Sequence, residues 1–240
     1  MSDVLVIIPT YNEKENIEAI IRAVFQQQKA FHVLVVDDNS PDGTAQIVTH
    51  LQKEFDSQLF LENRLIKNGL GAAYIHGFKW ALNRDYEYII EMDADFFHDP
   101  KDLIRLYNAC KIDGADMSIG SRYSNGVNVV NWPMKRVLLS YFASKYVRFI
   151  TRMPIYDTTA GFVCYKRKVL ETIQLDKIKF VGYAFQIEMK FKAWKHQFKI
   201  KEVSVIFTDR NLGESKMSGN IVYEALVGVL KLRLHGLPKN

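Results

Sequence analysis

The chain has 240 residues, 48% of them apolar and 25% charged, the balance of an ordinary globular protein of one large domain or two small ones. That composition excludes a disordered chain, a collagen-like repeat and a disulfide scaffold. With 32 Lys and Arg against 27 Asp and Glu, the net charge of +5 points to anionic partners such as phosphates or lipid headgroups; lacking a dense Lys/Arg stripe, it makes no case for nucleic acid.

The first half alternates strand-like and helix-like segments. Residues 4–8 form a β-branched run that stops at Pro9, and the segment 16–27 carries Ile17, Ile20, Ile21 and Val24 at helical spacing. Residues 33–36 are a second apolar run ending in Asp37-Asp38, after which Pro41-Asp42-Gly43 turns the chain into a helix over 44–55. A weaker strand at 59–61 precedes a helix over 70–83. Residues 88–92 are a fourth strand, 104–110 lie in the helix behind it, and 117–119 give a fifth. The second half is less regular, with a helix over 135–152, a strand at 162–165, a helix over 184–196, a strand at 203–207 and an amphipathic helix over 220–234. Without an internal repeat or linker, the expectation is one domain over 1–218, followed by a C-terminal helix over 219–240 packed on the domain or on a membrane surface.

Strands apolar throughout, each followed by a helix, indicate an α/β architecture with a mostly parallel sheet covered on both faces. Ligands of such sheets bind beyond the carboxyl ends of the strands. Three strands end there in polar groups: Pro9-Thr10-Tyr11-Asn12-Glu13, Asp37-Asp38 and Asp93-Ala94-Asp95.

Asp93 and Asp95 flank one small residue, so continued extended backbone would point both carboxylates to one side. Two hard oxygen ligands suit Mg²⁺ or Mn²⁺, which complete their shells with water and phosphate. A capping or turn cluster is the plainer reading. Lys67-Asn68-Gly69-Leu70-Gly71 lacks the third glycine of a dinucleotide fingerprint and reads as a tight turn into a helix, with Lys67 retained as a phosphate contact. Arg122 closes the fifth strand, Arg136 opens the next helix, and residues 209–216 read DRNLGESK. Guanidinium forks at such positions suit phosphate oxygens. His98 reads as a hydrogen-bonded loop residue rather than a general base. Cys110 and Cys164 read as buried thiols in a reducing compartment. The start Met1-Ser2-Asp3 has no basic leader, so the expected location is the cytosol. The helices over 135–152 and 220–234 carry apolar faces edged by cations. They read either as core packing or as an in-plane membrane contact in which Trp132, Leu138, Phe142 and Tyr146 reach the acyl boundary.

Taken together, PTYNE, VVDDNSPDGT, KNGLGAAYIHGF, MDADFFHDP, GSRY, GYAFQIEM and DRNLGESK resemble the family 2 glycosyltransferases, and more narrowly the dolichol-phosphate (polyprenol-phosphate) mannose synthases, from Val4 to about Ser218. The resemblance implies a GT-A fold, a GDP-mannose donor, a polyprenyl phosphate acceptor and Mg²⁺ or Mn²⁺. By position it implies that Pro9, Tyr11, Glu13, Val36 and Asp38 hold the guanosine, and that Asp93, Ala94 and Asp95 line the diphosphate and metal. Arg122, Arg210 and Lys216 would contact phosphates, Arg122 and Arg136 would serve the acceptor phosphate, and Asp93, Asp95 and Arg122 would be catalytic. Two positions depart from the family pattern: Phe97 stands where Ser or Gln is common, and Val163 where an arginine is common. The implied product is polyprenyl phosphate mannose, formed with inversion by an enzyme lying peripherally on the cytoplasmic face of a membrane, with or without a membrane-protein partner. The competing readings are a transferase using another donor such as UDP-glucose, one using a saccharide acceptor, and a non-catalytic nucleotide-sugar or membrane-binding module.

Overall fold

A computed structural model describes residues 2–180, 182, 184–208 and 228–234. The strands of the first half are β1 (Val4–Thr10), β2 (His32–Asp37), β3 (Leu59–Asn63), β4 (Tyr88–Glu91) and β5 (Met117–Ser121); β6 (Val129–Val130), β7 (Val163–Lys166), β8 (Ile200–Ser204) and β9 (Phe207–Thr208) follow. The helices are α1 (Ile17–Phe25), α2 (Thr44–Leu51), α3 (Leu70–Leu82), α4 (Leu103–Lys111), α5 (Met134–Thr151), α6 (Arg167–Thr172) and α7 (Ala184–Lys195). Among the described residues the main sheet runs β3-β2-β1-β4-β7-β5-β8, with β6 and β9 forming a separate parallel pair. β1, β2, β3 and β4 are mutually parallel, as are β5 and β8, whereas β7 is antiparallel to both β4 and β5. The mostly parallel expectation therefore holds with one reversed strand.

Strand alternation builds two cores. Leu5, Ile7, Leu34 and Val36 face one side, where Tyr74 and Phe78 of α3, Val169 of α6, Phe185 and Met189 of α7, and Val147 of α5 pack on them. Val4, Val6, Ile8, Val33 and Val35 face the other, against Ile17, Ile20, Ile21 and Val24 of α1, Val48 of α2 and Leu106 of α4. β1 continues through Pro9 rather than stopping before it. The backbone of Ile7 serves β4, accepting from the Met92 N–H, so Pro9 two residues on faces the same side, where β4 has already ended at Glu91. Its missing N–H therefore breaks no ladder bond there.

The expected strand at 203–207 divides. β8 ends at Ser204, the Val205 N–H then bonds the Ser121 carbonyl, and the Phe207 N–H leaves to bond the Asn128 carbonyl. The helix expected over 44–55 ends at Leu51 and loosens into turns. Residues 228–234 of the expected C-terminal helix are helical, with Val229 and Leu232 in the same core as Val147; the rest of 220–234 lies outside the described residues. Cys110 and Cys164 are buried and free. On α5 only Ser144, Val147 and Thr151 are buried. Leu138 and Phe142 are exposed, but Trp132 and Tyr146 pack partly against the two cores, so they do not belong to the outer face expected of them.

Candidate active site

β1, β2, β4 and β5 all end at one edge of the sheet, and because β7 is reversed its beginning reaches that edge too. At the end of β2, Asp37 is consumed structurally: its carboxylate accepts from the Thr10 hydroxyl at 2.7 Å and from the Ser40 N–H and hydroxyl at 2.8 and 2.6 Å. Asp38 is buried and paired with Arg64 at 2.7 Å; burial pushes its carboxyl up while Arg64 pulls against that. Val36 has no exposed surface and belongs to the core, so it offers a ligand no contact and shapes the site only through the strand that carries it. Pro9, Tyr11 and Glu13 are partly exposed. The Lys67 ammonium lies 3.5 Å from the centre of the Tyr11 ring, which brings the turn before α3 to the end of β1.

β4 stops at Glu91, and residues 94 and 95 turn. Asp95 is therefore not presented by continued extended backbone; its Oδ1 instead accepts the Phe97 N–H at 3.1 Å, an Asx-type cap made possible by positive φ at Phe96. Asp93 Oδ1 accepts from the Tyr74 hydroxyl at 3.2 Å. Burial, joined by the charges of Asp93, Glu91 and Asp95, raises the Tyr74 phenol well above its usual range, so Tyr74 stays a neutral donor. Ala94 is buried between the two aspartates. His98 is buried, stacked on Phe162 at 4.7 Å, and its Nδ1 accepts the Asp93 N–H at 3.1 Å. Burial pushes the imidazole down to about 4, so it is neutral with its proton on Nε2, and it serves as the loop residue expected of it.

Arg122 is 7% exposed. Its Nε and Nη2 bond the Asp157 carboxylate at 2.7 and 2.6 Å, its own N–H adds a third bond at 2.9 Å, and Nη2 reaches the Thr159 hydroxyl at 2.9 Å. The expected phosphate contact thus already has a carboxylate on two of its donor nitrogens. Arg136 lies over Trp132 at 4.0 Å and Phe97 at 4.8 Å, so the apolar residue at 97 forms a platform for this guanidinium. Stacking engages the guanidinium face, whereas its N–H donors lie in the plane. Arg210 and Lys216 lie outside the described residues.

Sequence reasoning missed Asp157, Tyr74 and the buried group Glu91, Gln186 and Lys190 beneath the site. Gln186 donates to Glu91 at 2.7 Å, and Lys190 Nζ bonds the Ala160 carbonyl at 2.6 Å, steadying the segment before β7. Glu91, Gln186 and Lys190 are marked in the sequence only by their polarity within β4 and α7, and nothing local marks Asp157. The glycines of the α3 segment prove to be packing devices. A Cβ on Gly71 would stand 2.7 Å from the Phe185 ring, and one on Gly77 would stand 2.8 Å from Ile7.

The described helices include none long and apolar enough to cross a membrane. Residues 5–174 match the family model described as glycosyl transferase family 2. The chain is 45% identical over 232 residues to the polyprenol monophosphomannose synthase of Mycolicibacterium smegmatis, covering 97% of this chain and 87% of that one. It is 43% identical to the undecaprenyl-phosphate mannosyltransferase of Micrococcus luteus, covering 95% and 93%. Its fold is similar to glucosyl-3-phosphoglycerate synthase from Mycobacterium tuberculosis, with a TM-score of 0.68 at 15% identity over 99% of this chain and 80% of that one. It is also similar to S. aureus TarS 1-349, with a TM-score of 0.66 at 19% identity over 100% and 67%. The expected GT-A architecture is therefore found, and the chain is an enzyme that belongs to glycosyl transferase family 2.

Proposed function

We propose that this glycosyltransferase moves mannose from GDP-mannose to a polyprenyl phosphate, with inversion, while held peripherally at the cytoplasmic face of a membrane. The observation that carries this reading is the 45% identity, over 97% of this chain, to a protein named for making polyprenol monophosphomannose. Asp93 and Asp95 are the residues to hold Mg²⁺ or Mn²⁺. Two carboxylates bring hard oxygen donors, a set that suits an ion sharing its shell with substrate phosphate. Bound there, such an ion supplies charge neutralisation for the departing diphosphate.

The residues of the chain perform the remaining tasks. Tyr11 and Glu13, at the end of β1, are assigned to the nucleoside, with Lys67 at the Tyr11 ring adding positive charge. Tyr74 and the His98 Nδ1 orient Asp93 through its carboxylate and its N–H. Arg122, committed to Asp157 and Thr159, is a positioning residue for the segment that leads to Gly161, where a Cβ would stand 4.0 Å from Asp93 Oδ2. The acceptor phosphate is then assigned to Arg136 on its Trp132 and Phe97 platform, and Arg210 and Lys216 are assigned to the donor phosphates. A phosphate monoester is largely ionised near neutral pH, its second pKa being about 6, so attack needs no proton acceptor. His98, neutral and hydrogen-bonded to the backbone, accordingly moves no proton in this scheme.

The test is incubation of the purified protein with labelled GDP-mannose, Mg²⁺ or Mn²⁺ and a short polyprenyl phosphate, followed by organic extraction. Labelled lipid that disappears with EDTA is the expected result. Label transferred only from a UDP-sugar, or only to a saccharide, would overturn the donor or acceptor assignment.

A further inference from the structure

The C-terminal end of α5 and residues 228–234 flank an open cleft of about 550 Å³ in which Arg148, Arg152 and Arg233 stand beside Phe149, Leu230 and Leu234. Arg148 lies about 18 Å along the helix axis from Arg136, so the cleft is separate from the proposed acceptor position. No carboxylate among the described residues forms an ion pair with any of the three arginines; Arg148 instead stacks on Tyr156 at 4.2 Å. The carbonyl end of α5 contributes only about half a negative charge. Three guanidinium groups outweigh it and leave a positive cleft.

Its apolar lining is unusually open to solvent. Phe149 is 82% exposed and Leu234 80%. The exposed face extends forward along α5 through Phe142, Leu138 and Met134. These four α5 residues recur at intervals of four, four and seven, which places them within about 80° of arc on one side of the helix. Lys145 falls in the same arc, and Arg152 caps the end of the helix in the left-handed conformation. Apolar side chains and phosphate-binding forks on one face match the boundary between acyl chains and acidic headgroups, where basic stems stay apolar and their tips meet anions.

We propose that this cleft binds the headgroup phosphate of an anionic phospholipid, with Phe149 and Leu234 entering the acyl boundary. It is a docking site apart from the reacting centre, and the inference rests on the peripheral membrane attachment proposed above. It lays α5 along the bilayer with Arg136 near one end and the headgroup cleft at the other.

The full chain is sedimented with phosphatidylcholine vesicles, with and without phosphatidylglycerol and with no polyprenyl phosphate present. Wild type is expected to partition to the acidic vesicles. Arg152→Gln/Arg233→Gln is expected to lose about thirtyfold, the strength usual for two basic groups near an acidic leaflet. Lys53→Gln/Lys101→Gln, which removes the same charge from exposed positions elsewhere, is expected to keep most of the binding. Mannosyl transfer to a short polyprenyl phosphate in detergent should be unchanged in the arginine variant. Wild-type partitioning by the arginine variant, or an equal loss in the lysine control, would overturn the site. Failure of transfer in detergent with vesicle binding intact would instead overturn the acceptor reading and leave the anionic-lipid site standing.

Discussion

Arg122 and Asp157, 35 positions apart, meet in a buried two-point ion pair that ties the end of β5 to the segment leading into β7. Asp157 has no exposed surface, so removal of its partner strands a charge in the interior. Arg122→Ala is expected to cost about 3–5 kcal/mol of stability, measured by urea unfolding, whereas Arg122→Met/Asp157→Leu should recover much of it. A loss below 1 kcal/mol in the single variant would contradict the burial of the pair.

The same pair makes an acid-dependent prediction. Burial alone raises the Asp157 carboxyl, but Arg122 outweighs burial and holds it below the reference value of 3.8. A depressed folded-state pKa stabilises above the unfolded value and is lost as pH falls through the folded one. The stability gap between wild type and Asp157→Asn should therefore be level down to about pH 5 and shrink below it, as measured by urea titrations across pH. A gap that does not respond to acid would mean that the carboxyl titrates alike in the folded and unfolded chain, and one that widens in favour of wild type as pH falls would mean that it is uncharged in the fold.

Asp95→Asn keeps the hydrogen bond from the Phe97 N–H, since the amide oxygen still accepts, but removes a charge. Mannosyl transfer should fall on the order of a hundredfold or more while the melting temperature stays near wild type. Near-normal turnover would remove Asp95 from the metal role.

Arg136→Ala should raise the KM for polyprenyl phosphate well beyond any change in the KM for GDP-mannose. Two-substrate kinetics decide it: equal effects on both would contradict the acceptor assignment.

Gly71→Ala places a methyl group against Phe185, which is fully buried and stacked on Tyr74 at 6.1 Å. Overpacking of this kind costs about 1–3 kcal/mol, and because Tyr74 bonds Asp93 the strain should lower transfer as well. Gly71→Ala/Phe185→Leu is expected to regain stability in thermal unfolding.

Local pattern was enough to read the alternating first half, because the apolar runs of β1, β2 and β4 are buried on both faces and each helix keeps a regular stripe. It also marked the three polar strand ends. What local pattern cannot carry is pairing across distance or orientation within a sheet. Nothing in residues 162–165 distinguishes a reversed strand from a parallel one, and nothing near Arg122 points to Asp157. Asp95 was read from ideal extended geometry, which its own side chain interrupts by capping Phe97. Val36 is a ligand candidate only through the family resemblance, and the alternation of β2 turns it into the core. The aromatic residues around α5 divide by their exact direction: Trp132 and Tyr146 pack inward while Phe142 and Phe149 do not.

The reversed strand also sets an order of assembly during synthesis. β4 and β5 follow one another in the chain but never pair, because β7 lies between them. Consecutive strands are usually neighbours, so this arrangement delays closure. β1, β2 and β3 have their partners once residue 91 has left the ribosome and β4 has β1, whereas β4's second edge waits for β7 and β5 for β7 or β8. Arg122 has no counter-charge until Asp157 emerges. A nascent chain stopped near residue 121 therefore carries Asp93 and Asp95 without Asp157, and β4 and β5 are joined into one sheet by a single late insertion.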